Sequence, residues 1–216
     1  MSCLSVLEDF INKYHLAYSD STNNSPTFYP LGEVSDCIID KYEGDVEAVV
    51  HWKPFKRKVY GTFENIETAL EITLFPDVDP YFGHYFSGPM TFDSPWGAGE
   101  LLQSWNQDDF ERLQKNIVGH LMMKQKLKQP LTWFVGVMDE ADKMITVNNE
   151  NGSVWLEVAG ETQSTQLAGS LSDFIKALKP KVLPATKPKF DDNVSIEHPG
   201  IISNLRRMWD NLFSRK

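Results

Sequence analysis

The longest amphipathic stretch of the chain covers residues 106–129. Apolar side chains recur at spacings of three and four, with polar residues between them, which is the pattern of a helix with one buried face. These apolar positions are Phe110, Leu113, Ile117 and Leu121. An asparagine and two aspartates open the stretch, where free backbone amides favour them, and Lys124, Lys126 and Lys128 lie at its other end. The pattern predicts one long helix around which the rest of the chain is organised.

Helical spacing also predicts a first helix over residues 4–18 and a last one over residues 167–178. Residues 63–70 form a short element with one apolar side. Runs typical of strands occur between these elements, and Gly44 supplies the turn for a hairpin between the first two runs. The predicted strands cover residues 37–40, 46–52, 72–75, 89–93, 100–105, 132–138, 144–147 and 154–158.

This order of elements predicts an α+β fold with one central, mostly antiparallel sheet packed by helices. We expect the domain to cover residues 1–183. Proline recurs at positions 180, 184 and 188, which disfavours both helix and sheet, so residues 184–200 are predicted to be a linker. Residues 201–216 would then form a separate basic amphipathic helix.

The predicted C-terminal helix has an apolar stripe, with four basic residues lying off it. Such a helix can lie in the headgroup layer of a membrane, with a tryptophan at the interface. The residues predicted to contact the membrane are Ile201, Ile202, Leu205, Trp209 and Phe213. The same stripe could equally dock on its own domain, and the sequence leaves both alternatives open.

Length and composition exclude several classes of protein. The chain has 216 residues and is 41% hydrophobic, enough for one domain with a real core. It contains no run long enough to span a membrane and no secretory signal. Its two cysteines, Cys3 and Cys37, form neither a disulfide framework nor a metal-binding spacing, which favours a reducing cytosol.

The sequence contains no recognisable catalytic motif. The five histidines share no metal-ligand spacing, and the chain has no phosphate-binding loop, nucleophile elbow or calcium loop. We therefore expect no enzymatic activity, no cofactor, no metal and no small-molecule substrate.

The net charge of -9 is distributed unevenly along the chain. Residues 1–123 contain 19 acidic and 8 basic side chains, whereas residues 124–216 contain 11 and 13. Between Val59 and Glu111 there are ten carboxylates and no lysine or arginine. Such a region repels phosphates, so nucleic acid and anionic lipid are poor partners for it and a basic protein segment is a good one. The alternative is an acidic surface that only confers solubility.

Residues 76–88 combine aromatic rings with Asp77 and Asp79. Interfaces that bind arginine and lysine use both residue types, because ring faces attract cations and carboxylates pair with them. Core packing is the alternative explanation for most of these rings. The basic run at residues 54–58 is interpreted as the decoration of a loop.

Four stretches resemble the Syd family of SecY-interacting bacterial proteins. The central one, LLQSWNQDDFERLQKNIVGHLMMKQKLKQPLTWFVG at residues 101–136, is similar to the family's signature. The others are AVVHWKPF at 48–55, IETALEITLFP at 66–76 and LAGSLSDFIKALKP at 167–180. The resemblance covers nearly the whole predicted domain but not the tail beyond residue 183, which shorter members of the family do not show.

The resemblance implies a non-enzymatic protein that is loosely attached to the cytoplasmic face of the bacterial inner membrane and also soluble in the cytoplasm. The implied partner is SecY, the channel subunit of the export machinery, which an acidic concave surface would bind as a quality check or negative regulator. The fold would be similar to that of a wider group of immunity proteins, so a toxin-neutralising role is the alternative function.

Charge and placement together predict which carboxylates form the binding groove. Loops and a helix start should put them at the mouth of the fold, where they would receive the basic cytoplasmic loops of SecY. The residues expected to contribute most are Asp77, Asp79, Asp93, Glu100, Asp108 and Asp109, followed by Glu67 and Glu71. We expect the protein to be a monomer.

Overall fold

The computed structural model describes residues 3–140 and 143–187 of the chain. These residues contain five helices, and the two longest have 20 residues each. The helices are α1 (Cys3–Thr22), α2 (Glu64–Leu70), α3 (Val78–Phe82), α4 (Gln107–Lys126) and α5 (Leu171–Ala177). Within the described part of the chain, no helix is both long enough and apolar enough to cross a bilayer.

The described strands form one large sheet and two short pairs. The pairs are β1 (Thr27–Phe28) with β2 (Val50–His51), and β3 (Phe55–Lys56) with β4 (Tyr85–Phe86). The large sheet contains β5 (Met90–Ser94), β6 (Gly97–Leu101), β7 (Thr132–Met138), β8 (Lys143–Asn148), β9 (Val154–Val158), β10 (Thr165–Ala168) and β11 (Lys179–Pro180). Its order is β10-β9-β8-β7-β6-β5-β11, and every neighbouring pair is antiparallel. The predicted α+β class with a mostly antiparallel sheet is confirmed.

Helices cover both faces of the large sheet. Successive side chains on a strand point to opposite faces, and two neighbours on β7 show what covers each one. The ring of Trp133 lies 6.2 Å from Phe82 of α3, whereas Phe134 lies 5.8 Å from His120 of α4. On the α3 side, Phe174 of α5 also meets Phe92 of β5. The core therefore has two layers, with α3 and α5 on one face of the sheet and α4 on the other.

The predicted central helix is confirmed as α4. Its cap is as expected, since the Asn106 side-chain oxygen accepts a hydrogen bond of 2.8 Å from the Asp109 backbone amide. The buried positions include Phe110, Leu113 and Ile117 from the apolar stripe. Periodicity and a cap determine this element locally, so sequence reasoning was sufficient for it.

The C-terminal end of α4 differs from expectation. The sequence groups Lys124 with Lys126 and Lys128 at the helix end, but its side chain is buried. Its ammonium lies 2.9 Å from the buried Glu157 carboxylate of β9. The other oxygen of Glu157 accepts hydrogen bonds from the hydroxyls of Thr132 and Thr146, at 2.9 Å and 3.0 Å. His120 lies 2.8 Å from the Thr132 hydroxyl, and burial together with the nearby ammonium lowers the pKa of His120 to about 3. We call these five residues the buried polar cluster.

Among the predicted strands, those at 89–93, 132–138, 144–147 and 154–158 are confirmed by β5, β7, β8 and β9. The strand predicted at 100–105 is β6, which ends at Leu101. It begins earlier than predicted, because Gly97 takes a positive φ of 118° and closes a tight turn with β5. The hairpin between 37–40 and 46–52 is wrong as a regular ladder. In the described structure the β-pairing of these runs is limited to the isolated bridge between Ile38 and Trp52, and the Asp40 side chain binds the His51 amide.

Residues 72–75 are extended but form no strand. Side chains satisfy their backbone instead: the Leu74 amide donates to Glu67 and the Phe75 amide donates to Asn149. The last helix begins later than predicted, since Leu167 belongs to β10 and α5 starts at Leu171.

The described chain stays in contact with the domain beyond α5. The Tyr18 hydroxyl donates to the Leu183 carbonyl at 2.7 Å, the Ala185 amide donates to the Thr27 hydroxyl, and Lys187 pairs with Glu47. The predicted boundary at residue 183 and the linker at 184–200 remain predictions. The C-terminal helix predicted at 201–216 lies outside the described residues.

Candidate functional site

An open groove of about 1510 Å³ lies between α2, α4 and the segment from Phe55 to Thr62. Its volume exceeds the range of about 300–1,000 Å³ that is usual for small-molecule pockets. Apolar atoms come from Phe55, Ile66 and Val118, among others. An open groove of this size and lining suits a peptide segment better than a small molecule. We call it the α2–α4 groove.

One wall of the groove is a short loop that is fixed at both ends. The Arg57 amide donates to the His84 carbonyl at 2.9 Å, and the Gly61 amide donates to the Gly83 carbonyl at 3.0 Å. The residues between these anchors project outward, so that Val59 is 81% exposed and Tyr60 is 50% exposed. The groove therefore has an apolar, solvent-facing rim.

Arg57 lies in the same wall but is only 9% exposed. Its guanidinium is held between the rings of Phe86 and Phe110, at 4.4 Å and 4.5 Å from their centres, and one nitrogen donates to Gln107 at 2.9 Å. The other terminal nitrogen, Nη1, has no acceptor among the described residues. Burial lowers the pKa of this guanidinium. The interpretation of the basic run as loop decoration is therefore wrong for Arg57, because the aromatic rings that bury it come from later in the chain.

Charges of both signs line the α2–α4 groove. Asp36, Glu64 and Glu111 supply carboxylates, and none of them forms an ion pair within the described part of the chain. The cations are Arg57, Lys58 and Lys115. None of the eight carboxylates predicted from the sequence lines this groove.

Four of the eight predicted residues lie on or beside α2 and α3. These are Glu67, Glu71, Asp77 and Asp79. Together with Glu64 of α2 we call them the acidic corner, since the charges of Glu64 and Glu67 on α2 act on Asp79 of α3. No member of this corner has a cation within ion-pair distance among the described residues.

Two carboxylates of the acidic corner also hold the backbone. The Phe63 amide donates to Asp79 at 2.8 Å, and the Leu74 amide donates to Glu67 at 2.7 Å. The pKa of Asp79 is raised, first by burial and then by the charges of Glu67 and Glu64. Burial also raises the pKa of Asp77. The mutual effect on Asp79 shows that α2 and α3 bring like charges together.

The two aspartates that begin α4 have different surroundings. Asp108 is exposed and has no ion pair in the described structure. Asp109 accepts a hydrogen bond from the Trp105 amide at 2.8 Å and lies 3.1 Å from Arg112. Arg112 also pairs with Glu33 at 2.7 Å. The charge of Asp109 is therefore partly used inside the domain, whereas that of Asp108 is free to act outward.

Asp93 and Glu100 lie apart from the others, on β5 and β6 of the large sheet. Lys181 lies 3.6 Å from Asp93 and 3.4 Å from Asp139, so a lysine from late in the sequence offsets this charge. Burial, with a smaller effect of Asp139, raises the pKa of Glu100 to about 7. The structure thus brings Glu67 close to Asp79, places Asp108 and Asp109 at the start of α4, and puts Asp93 and Glu100 on the large sheet.

The aromatic rings of residues 76–88 serve mainly the core. Tyr81 and Phe82 are fully buried, and Phe86 covers one face of Arg57. Tyr85 is partly exposed, but its hydroxyl donates to Glu8 at 2.7 Å. Core packing is therefore the correct explanation for most of this cluster. His84, stacked on Tyr60 at 4.0 Å, is the ring nearest the groove rim.

Sequence reasoning missed the α2–α4 groove, although α4 carried a signal for it. Gln107, Glu111, Gln114, Lys115 and Val118 all line the groove and recur at helical spacing. They form a second stripe on α4, beside the buried one. This stripe ends on the apolar Val118, whereas a fully solvated helix face would be polar throughout. The residues predicted to contact a membrane, from Ile201 to Phe213, lie outside the described residues, and that contact stays a prediction.

Comparison with known proteins identifies the family. The sequence model of the family described as "Syd protein (SUKH-2)" matches residues 4–180. Proteins named "Protein Syd" from Shewanella baltica (strain OS223) and Shewanella sp. (strain MR-7) are each 51% identical over 216 residues, which is the full length of both chains compared. The protein of the same name from Shewanella putrefaciens is 51% identical over 215 residues. These alignments include the tail beyond residue 183, so the tail is not peculiar to this protein. The chain belongs to the Syd family.

Proposed function

We propose that this protein is a non-enzymatic, SecY-binding member of the Syd family that docks on basic cytoplasmic loops of the channel. In this role it acts as a quality check on SecY or as a negative regulator of translocation. It is a monomer that moves between the cytoplasm and the cytoplasmic face of the inner membrane. Its membership of the family supports the choice of partner, and the acidic corner supports the mode of binding.

The observation that carries the proposal is the uncompensated charge of the acidic corner. Its five carboxylates, on Glu64, Glu67, Glu71, Asp77 and Asp79, have no ion-pair partner among the described residues. Cytoplasmic loops of membrane proteins are rich in lysine and arginine. A surface with one sign of charge attracts such loops before contact and raises the association rate, an effect that salt weakens.

The other predicted carboxylates contribute unequally to the proposed surface. Asp108 adds an exposed charge at the start of α4, and Asp109 adds less because Arg112 pairs with it. Asp93 and Glu100 contribute little, since Lys181 offsets the first and burial favours the neutral form of the second. The α2–α4 groove shares Glu64 with the corner, so a bound loop can continue from the corner into the groove.

The test reverses charges that have no structural role. Glu64 and Glu71 are exposed, and neither side chain forms a hydrogen bond or ion pair in the described structure. At low salt, the rate of association with detergent-solubilised SecY should be about tenfold lower, or lower still, for the variant Glu64→Lys/Glu71→Lys than for the unmodified protein. This is the scale expected when electrostatic steering is lost. The matched control, Asp20→Lys/Glu161→Lys, makes the same change of charge at two exposed side chains elsewhere that form no ion pair in the described structure.

Binding is measured by surface-immobilised SecY at several salt concentrations, with circular dichroism to establish that all variants fold. Loss of binding in the corner variant but not in the control supports the proposal. Equal binding by both variants would refute the acidic corner as the receptor. Failure of the unmodified protein to bind SecY would refute the partner. Protection of the cell against a toxin encoded beside the gene would then favour the immunity role.

A further inference from the structure

The α2–α4 groove presents an apolar surface that is unoccupied by any described residue. Val59 and Tyr60 form its rim, and Ala69 of α2 is an exposed part of its wall. Exposed aliphatic and aromatic groups that border a groove mark a binding surface more often than isolated ones do. The occupant therefore needs an apolar face of its own.

The groove also needs an occupant with charges of both signs. Glu64 and Glu111 on its walls have no ion pair in the described structure, so a cation can pair with them without displacing another. On the opposite wall, Nη1 of the buried Arg57 lacks an acceptor. A buried guanidinium that lacks a hydrogen-bond partner is costly, and an acceptor supplied by the occupant lowers that cost.

The last sixteen residues of the same chain have these properties. Residues 201–216 contain an apolar stripe at helical spacing, four basic side chains and a single acidic one, Asp210. The preceding 200 residues contain 17 basic and 29 acidic side chains. The two parts of the chain are therefore opposite in net charge, and a segment tied to the domain has a high effective concentration at its surface.

The connection is long enough for this contact. The last described residue, Lys187, is held against the domain by Glu47. Residues 188–200 separate it from the start of the stripe, and an extended chain of that length reaches about 45 Å. A domain of this size has a radius of gyration of about 16 Å. The reach of the connection is nearly three times that radius, so residues 201–216 can contact the domain surface well away from Lys187.

We propose that the α2–α4 groove binds the protein's own C-terminal segment, residues 201–216, through its apolar stripe. The complementarity is that of an apolar stripe with an apolar rim, and of basic side chains with the carboxylates of the groove. Bound there, the segment covers Glu64, which belongs to the acidic corner. If the proposed function holds, on which this consequence rests, the segment competes with SecY loops and is released when they bind.

Thiol labelling of the full-length protein tests the contact. Ala69→Cys places a thiol on the groove wall, while Thr162→Cys places a control thiol at an exposed turn, and both native cysteines are buried. With the native tail, Ala69→Cys should react with a maleimide about tenfold more slowly than in the same protein carrying Trp209→Glu/Phe213→Glu, as expected for a contact populated about nine to one. Thr162→Cys should react equally in both.

Three results would overturn the inference. Equal labelling of Ala69→Cys with the native and the altered tail would show that the groove is open. Protection that rises with protein concentration would show that the tail of a second copy is bound. Equal labelling combined with loss of flotation on vesicles of anionic lipid in the altered tail would assign the stripe to the membrane. None of these readouts involves SecY, so they test the contact between the groove and the C-terminal segment independently of the proposed function.

Discussion

The buried polar cluster provides the sharpest test of how α4 is held on the sheet. Lys124 and Glu157 are both fully buried, and their charged groups lie 2.9 Å apart. Replacing Lys124 by methionine keeps most of the side-chain volume but leaves a carboxylate without its cation. Removing one partner of a buried ion pair typically costs about 3–5 kcal/mol. A domain has a total stability of about 5–15 kcal/mol, so this loss is a large fraction of it.

The hydrogen bonds of the Glu157 carboxylate influence where in this range the loss of stability caused by Lys124→Met lies. The Thr132 and Thr146 hydroxyls continue to donate to Glu157 after the substitution, and they stabilise the charge in part. The Lys124 ammonium also donates to the Glu161 carbonyl at 2.8 Å, and the substitution leaves that carbonyl without its donor. The two effects oppose each other, so we expect Lys124→Met to cost about 4 kcal/mol at pH 7.

The double variant Lys124→Met/Glu157→Met separates charge from packing. Replacing both members of a buried pair by apolar side chains is often neutral or stabilising. We therefore expect the double variant to recover at least half of the loss, although the two threonine hydroxyls then lack their acceptor. Urea unfolding followed by circular dichroism gives the free energies of unfolding of all three proteins. Lys124→Met costing less than about 1 kcal/mol, or a double variant less stable than the single one, would refute the reasoning.

Two further predictions concern single residues. The folded state raises the pKa of Glu100 to about 7, above its ordinary value of 4.5. Between these pH values the folded protein therefore binds a proton that the unfolded chain releases. The free energy of unfolding should fall as pH rises through this range, by up to about 3 kcal/mol. Glu100→Gln should flatten this part of the stability profile measured by urea unfolding from pH 4.5 to 8, and an unchanged slope would contradict it. A Cβ atom at Gly61 would lie 2.6 Å from both Arg57 Nη1 and the ring of Phe110, so Gly61→Ala should lower the free energy of unfolding by about 1–3 kcal/mol, as measured by thermal unfolding. Gly169→Ala, where a Cβ meets nothing within 4 Å, is the matched control, and equal stability of the two variants would contradict the clash.

Local patterns were sufficient where an element depends mainly on its own residues. The α4 helix follows from apolar spacing and from Asn106 at its start. The strand runs at 132–138 and 154–158 agree with β7 and β9 because both are dense in β-branched and aromatic side chains. The fold class followed from the order of such elements along the chain.

Patterns failed where a residue depends on a partner far along the chain. Lys124 matched the lysines of a solvated helix end, and only the sheet shows that Glu157, on β9, is its partner. Arg57 matched a surface loop in the sequence, but in the structure the rings of Phe86 and Phe110 pack against its guanidinium. Residues 72–75 matched a strand, but Glu67 and Asn149 satisfy the backbone of Leu74 and Phe75 in place of a ladder.

The sequence by itself determined the family, the fold class, the central helix and the excess of carboxylates in the middle of the chain. The tertiary structure decided which of those carboxylates lie together. It brought Glu64 and Glu67 of α2 close to Asp79 of α3 and set Asp93 beside Lys181. The reason is physical: spacing along the chain determines which side of a helix or strand a residue occupies, whereas the neighbours of a charge depend on contacts between segments distant in sequence.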